Sequence, residues 1–163
     1  MKHTISILVE NHAGVLARVA GLFARRGFNI DSLAVGVTED EKISRITIIA
    51  DGTAYTLEQI EKQLNKLIDV IKVRHLPAEE LLSRELVLIK VACLPSQRAE
   101  LISLAEIAKA KISDITVNTM TLELSDSVPR IKTFEELLRP YGIKETVRTG
   151  SIAMQKGGAS MKL

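Results

Sequence analysis

Aromatic side chains are scarce in this chain. They make up 3% of its 163 residues, as Phe23, Phe28, Tyr55, Phe134 and Tyr141, and tryptophan is absent. Modules that bind single-stranded nucleic acid stack bases on aromatic platforms, so this composition argues against them. A site for a large organic cofactor would also want more aromatic lining. Cysteine occurs once, at Cys93. That excludes an intrachain disulfide and paired-cysteine zinc sites, and it fits a reducing, cytoplasmic setting. Neither charge sign dominates. Lys and Arg number 22 and Asp and Glu 20, and each half of the chain is balanced. No electrostatic platform for nucleic acid or anionic lipid is expected. Long apolar runs are missing too. The first one, Ile5-Ser6-Ile7-Leu8-Val9, stops at Glu10, so neither a signal peptide nor a membrane span is expected.

What remains is an aliphatic globular chain, 46% hydrophobic. Residues 5–9 read as a strand. Residues 15–26 read as a helix with Leu16, Val19, Ala20 and Phe23 on one face, closed by Gly27 as a left-handed cap. Strands follow over 29–37 and 43–50. Thr56-Leu57-Glu58-Gln59 has the pattern of a capping box opening a second helix. Val70 to His75 is a short fourth strand. After a linker at 77–83 the order recurs. Leu86 to Cys93 is a strand, a helix runs from Pro95-Ser96 to about Lys109, strands lie near 111–117 and 120–125, a helix carries Pro129 in its first turn, and 143–149 closes the set.

Two β-α-β-β-α-β units predict an α+β protein of two tandem ferredoxin-like domains, residues 1–76 and 84–150, with a flexible tail over 151–163. In each unit two helices cover one sheet face. In the first unit the other face is expected to be left open, solvated or paired with another subunit. The strand at 86–89 is apolar on both sides, which predicts a covered sheet in the second unit. Domains of this size bury only marginally enough surface, so self-association is the expectation.

Catalytic and metal-ligating groups are not in evidence. His3 is terminal, His75 ends a strand, and Cys93 sits in an apolar strand, where it reads as an inert core thiol. Glu39-Asp40-Glu41 lacks calcium-loop spacing and reads as a hairpin turn; Glu79-Glu80 reads as solvated. No Walker or Rossmann glycine pattern occurs.

One loop stands out. In Glu10-Asn11-His12-Ala13-Gly14-Val15-Leu16-Ala17-Arg18, Gly14 falls at a helix start. Free N–H groups and a positive dipole end there can receive a small carboxylate or phosphate. The plainer alternative is an unexceptional capped helix. Asn11 supplies a donor and an acceptor. His12 is a further loop residue, and Arg18 is either a ligand contact or a surface ion pair. Asn29 and Ile30 open the neighbouring strand and are expected close to the same edge of the fold.

Asn11-x-x-Gly14-Val15-Leu16-x-Arg18-Val19, followed by Phe23-x-x-Arg26-Gly27-Phe28-Asn29-Ile30-x-Ser32-Leu33, resembles the ACT domain of the small regulatory subunits of acetohydroxyacid synthase (acetolactate synthase). The run from Gln59 to Val70 resembles that family's second helix. Leu138-Arg139-Pro140-Tyr141-Gly142-Ile143-Lys144-Glu145 with Arg148-Thr149-Gly150 resembles its C-terminal domain. The resemblance implies a non-catalytic chain. Its partner would be a large catalytic subunit using thiamine diphosphate, Mg²⁺ and FAD, with no cofactor in this chain. It also implies activation of that subunit and feedback inhibition by valine or another branched-chain amino acid, bound at a homodimer interface. Carried over, the effector site is Asn11, Ala13, Gly14, Val15 and Leu16 from one protomer, with Asn29 and Ile30 from its partner. Leu16 and Ile30 would form a slot for a branched side chain.

Three other readings compete. A free-standing ACT-type sensor of another enzyme or of transcription would need no synthase subunit. An RNA-recognition module shares the element order, but residues 43–50 carry no aromatic. An acylphosphatase-like enzyme would need an arginine in the first loop, and Arg18 falls inside the helix instead.

Overall fold

The computed structural model describes residues 1–162. The chain divides into two compact units, Met1–Leu82 with Ser151–Leu163, and Ser83–Gly150.

The first unit runs β1 (Lys2–Glu10), α1 (Val15–Arg25), β2 (Ile30–Val37), β3 (Ile43–Asp51), α2 (Ala54–Leu64) and β4 (Val70–Leu76). Its antiparallel sheet has the order β2-β3-β1-β4. Alternation along β1 sends Ile5, Ile7 and Val9 into the core, against Val15, Val19 and Phe23 of α1 and Ile60 and Leu64 of α2. Burial of each such aliphatic side chain is worth about 1.5–3 kcal/mol. Gly27, at φ 69°, ends α1 as its left-handed cap. The Phe28 N–H then reaches back to the Phe23 carbonyl at 3.0 Å, and the two rings meet edge to face. The capping box expected at Thr56 does not form. Helix α2 starts earlier, and Thr53 caps it by accepting from the Thr56 N–H at 3.2 Å.

The second unit runs β5 (Leu81–Ala92), α3 (Arg98–Ala108), β6 (Lys111–Ile115), β7 (Thr119–Asp126), α4 (Val128–Leu138) and β8 (Ile143–Arg148). The sheet order is β6-β7-β5-β8, the same topology as the first. β5 starts inside the expected linker, just after a 3₁₀ turn at Ala78–Glu80. Val87, Ile89, Val91 and Cys93 pack with Leu101, Ile131, Phe134 and Leu138. Leu88 stands on the other face, paired with Val147 and Glu123. That face carries Lys90 and Glu145 as well, as an ion pair at 3.7 Å. Among the described residues of this unit nothing covers it, contrary to the covered sheet expected from the apolar run.

The other departure concerns the C-terminus. Where a flexible tail is expected, Ile152–Gln155 form a strand, β9. The segment after Gly150 lies on the first unit's sheet, on the face away from the helices. The Ser151 N–H donates to the Ser32 hydroxyl at 2.8 Å, and Arg45 Nη2 donates to the Ala153 carbonyl at 2.9 Å. Arg74 Nη1 donates to the Ser160 carbonyl at 3.2 Å, and Lys72 Nζ to that of Lys162 at 2.7 Å. The face expected to stay open is therefore occupied, and Ser6, Leu8 and Thr47 on it are buried. The reason is long-range. Basic side chains on β3 and β4 satisfy carbonyls of a segment too polar and too short to show a helix or strand period on its own.

A chain ending at Gly150 should fold but melt lower than the full chain. Its loss should be at most about 2–3 kcal/mol, roughly one aliphatic side chain's burial for Leu8. Calorimetry of the two chains checks this; equal melting temperatures would show that the segment contributes nothing.

Candidate functional site

Gly14 leaves β1 for α1 at φ 88°, a left-handed conformation that L side chains rarely adopt. It occupies the helix N-cap, and no side chain caps the helix. The first turn contains no acidic residue. The α1 N-terminus thus presents free N–H groups at the positive end of its dipole, with no built-in anion. Ala13, Gly14 and Leu16 are exposed, whereas Val15 is buried in the core and offers only backbone. Asn11 Nδ2 donates to the Glu41 carbonyl at 2.8 Å, which ties the loop to the β2–β3 hairpin and leaves the amide oxygen as a free acceptor.

Under this loop lies a network of charges that sequence reasoning did not assemble. Asp69 is buried just before β4. Its Oδ2 takes the Arg18 Nε–H at 2.6 Å, and its Oδ1 lies 3.0 Å from His12 Nε2. His12 Nε2 is also 3.1 Å from Glu10 Oε2. Glu10, His12 and Asp69 are close enough together to hold a cation. Arg18 already supplies positive charge there, and its Nη1 comes within 3.1 Å of where a Cβ on Gly14 would stand. A side chain at Gly14 would therefore meet both backbone strain and a guanidinium. The contact of Asp69 with Arg18 spans 51 residues, so only its carboxylate type, not its place, was readable in the chain.

Asn29 and Ile30 are not at this edge. Ile30 pairs with Ala50, and Ala50 with His3, at the start of β1. The Gly14 loop follows Glu10, at the end of β1. The strand between those levels is roughly 23 Å long at about 3.3 Å per residue. Within one protomer the two groups of predicted site residues therefore sit at opposite ends of the sheet, because β2 runs antiparallel to β3. Asn29 is exposed and donates to Asp31 at 2.9 Å, and Ile30 is half-buried against the core.

Comparison with known proteins identifies the family. Residues 5–72 match the AHAS small subunit-like ACT domain, and residues 84–157 match the family described as small subunit of acetolactate synthase. The chain belongs to the acetolactate synthase small-subunit family. It is 50% identical over 96% of its length to a probable acetolactate synthase small subunit of Archaeoglobus fulgidus, covering 98% of that protein. It is 44% identical to the acetolactate synthase small subunit of Mycobacterium leprae, over 95% of this chain and 92% of that one. The fold matches the crystal structure of the Thermotoga maritima acetolactate synthase small subunit with a TM-score of 0.91 at 38% identity, covering 98% of this chain and 99% of that one. No helix among the described residues is long and apolar enough to cross a membrane.

In the C-terminal motif of this family match, Arg148 has a structural task. Its guanidinium bridges Glu85 at 3.0 Å and Glu135 at 2.5 Å, joining β5, β8 and α4.

The His12 pKa is raised above 6.5, first by its hydrogen bond to the Ala13 carbonyl, then by Glu10, with Asp69 adding through its charge. A raised value in the folded state means that the protonated ring stabilises the fold. That contribution is complete below pH 6.5 and is lost as pH rises through the folded value. The melting temperature should accordingly fall between about pH 6 and 8, and His12→Gln should flatten that slope. Parallel slopes for the two proteins would remove His12 from the network.

Proposed function

We propose that the chain is a non-catalytic regulatory subunit that acts on the large subunit of acetolactate synthase and senses a branched-chain amino acid across a homodimer. The observation that carries the shared site is the register of the sheet. β2 is an edge strand with only one charged residue, Asp31, at its start, and with Val35 and Val37 exposed. Such an edge is open to pairing. Val37 is level with Ser44 and Val9, beside the Gly14 loop. If two copies pair antiparallel through β2 about a two-fold axis normal to the sheet, the start of one β2 lies against the end of the other. The partner subunit's Asn29 and Ile30 then stand at the Gly14 end. The residues that a single protomer separates are reunited.

Such a site suits an amino acid. The uncapped N–H groups of α1 receive its carboxylate, with Arg18 adding positive charge beside them. The free Asn11 oxygen accepts from its ammonium. Leu16, which is exposed, and the partner subunit's Ile30 form an apolar slot for a branched side chain. Binding across the interface favours one arrangement of the dimer, and coupling of about 1–3 kcal/mol is enough to change the activity of an attached enzyme. A match to the synthase family through residue 157 supports this reading over a free-standing sensor, which has no need of that second domain. Thiamine diphosphate, Mg²⁺ and FAD would then belong to the large subunit alone.

The test is complementation. Asn11→Ala and Asn29→Ala should each abolish the valine-induced rise in melting temperature. Mixed in equal amounts and allowed to exchange, they should restore about a quarter of the wild-type sites, since half of the dimers are hybrids with one intact site each. No recovery, or a stable monomer at micromolar concentration in ultracentrifugation with valine present, would overturn the shared site. Replacing Gly14 is a poorer probe, because strain at φ 88° confounds the result.

A further inference from the structure

The C-terminal segment lies over a cleft of about 340 Å³ against the first unit's sheet, on the face opposite α1, with Leu76, Met154 and Met161 as its apolar part. Arg45 of β3 and Arg74 of β4 line it, with Gln155, Gly157, Gly158 and Ser160 from the segment. Lys162 adds a third cation to the lining, and Glu39 is its one acidic residue. Neither Arg45 nor Arg74 is within ion-pair distance of a carboxylate among the described residues. Their hydrogen bonds go to neutral groups, the carbonyls of Ala153 and Ser160 and the side-chain oxygen of Gln155. Each guanidinium has more donors than these contacts use.

Two like charges facing one layer repel unless an anion separates them. Arg45 shows this, being pulled below its usual pKa by burial and by the charge of Arg74. A second observation points the same way. Three buried side-chain atoms among the described residues lack any hydrogen-bond partner, and two of them, Arg45 Nε and Ser6 Oγ, belong to this face. Ser6 is fully buried and pairs across the sheet with Arg74 on one side and Thr47 on the other. Unsatisfied buried polar groups clustered in one layer call for a missing partner.

We propose that this cleft is a binding site for a small phosphate-class oxyanion, held between the guanidiniums of Arg45 and Arg74 and closed by the glycine-containing segment 157–160. Forked guanidiniums match the geometry of tetrahedral oxyanions, and the exposed Gly157 and Gly158 bring backbone to the lining without side chains in the way. The bound anion would fasten the segment to the sheet. This site is independent of the amino-acid site and does not rest on it.

Sodium phosphate titrated into the full-length ¹⁵N-labelled chain at constant ionic strength tests the proposal. The Gly157 and Gly158 amides and the Arg45 and Arg74 Nε–H signals should shift together and saturate, and the melting temperature should rise in step. Arg74→Gln should weaken binding at least tenfold, with the amide pattern of the second unit unchanged as evidence of folding. Arg74→Lys, which keeps the charge but loses the fork, should retain part of it. Methyl phosphate binding more tightly than phosphate assigns the site to a phosphorylated metabolite; the reverse order assigns it to the free ion. Shifts that do not saturate, or affinities equal in wild type, Arg74→Gln and Arg45→Gln, overturn it.

Discussion

Everything in the first unit hangs on β1 being buried on both of its faces. Ile5, Ile7 and Val9 meet the helices, and Ser6 and Leu8 meet the layer under the C-terminal segment. β1 pairs with β3 on one side and β4 on the other, so its register sets theirs. A slip of one residue would drive Ser6 into the helix-facing core and Ile7 into the polar layer. With that register set, the Gly14 loop stands at one end of the sheet and Asn29 at the other.

The loop itself is held by backbone and charge rather than by packing. Gly14 can adopt φ 88° without a steric penalty, and so α1 begins with no side-chain cap on its N–H groups. Asp69 anchors the underside by taking Arg18 and His12. It is buried, so the pairing has to be complete; removing one partner would leave an uncompensated charge. The arrangement keeps positive charge next to the place where a carboxylate would sit, while the buried Asp69 carboxylate is taken up by Arg18 and His12.

The two units use one topology for different ends. Both bury an aliphatic layer between sheet and helices. The first covers its outer sheet face with polar contacts to the C-terminal segment. The second leaves Leu88, Lys90 and Glu145 on that face. Alternation in β5 was masked by aliphatic residues on both sides, Val87 and Ile89 inward and Leu86 and Leu88 outward, and composition alone could not separate a covered face from a mixed one.

The amino-acid sequence by itself determined the element order, both hydrophobic cores, the left-handed cap at Gly27 and the family motif around Gly14. These follow from short-range periodicity and from residues whose backbone freedom is their own. It misplaced the cap of α2 by three residues, because Thr53 and Thr56 are both plausible caps and only packing of Ile60 and Leu64 chooses between them. Tertiary structure alone decided three further things: the opposition of Gly14 and Asn29 along the sheet, the Asp69 network, and the return of residues 151–162 onto β1, β3 and β4. Each depends on strand register or on polar contacts between residues 51 to 119 positions apart. Such contacts form because the hydrophobic core has already brought the strands together, and nothing in the local sequence pattern encodes which donor will meet which carbonyl.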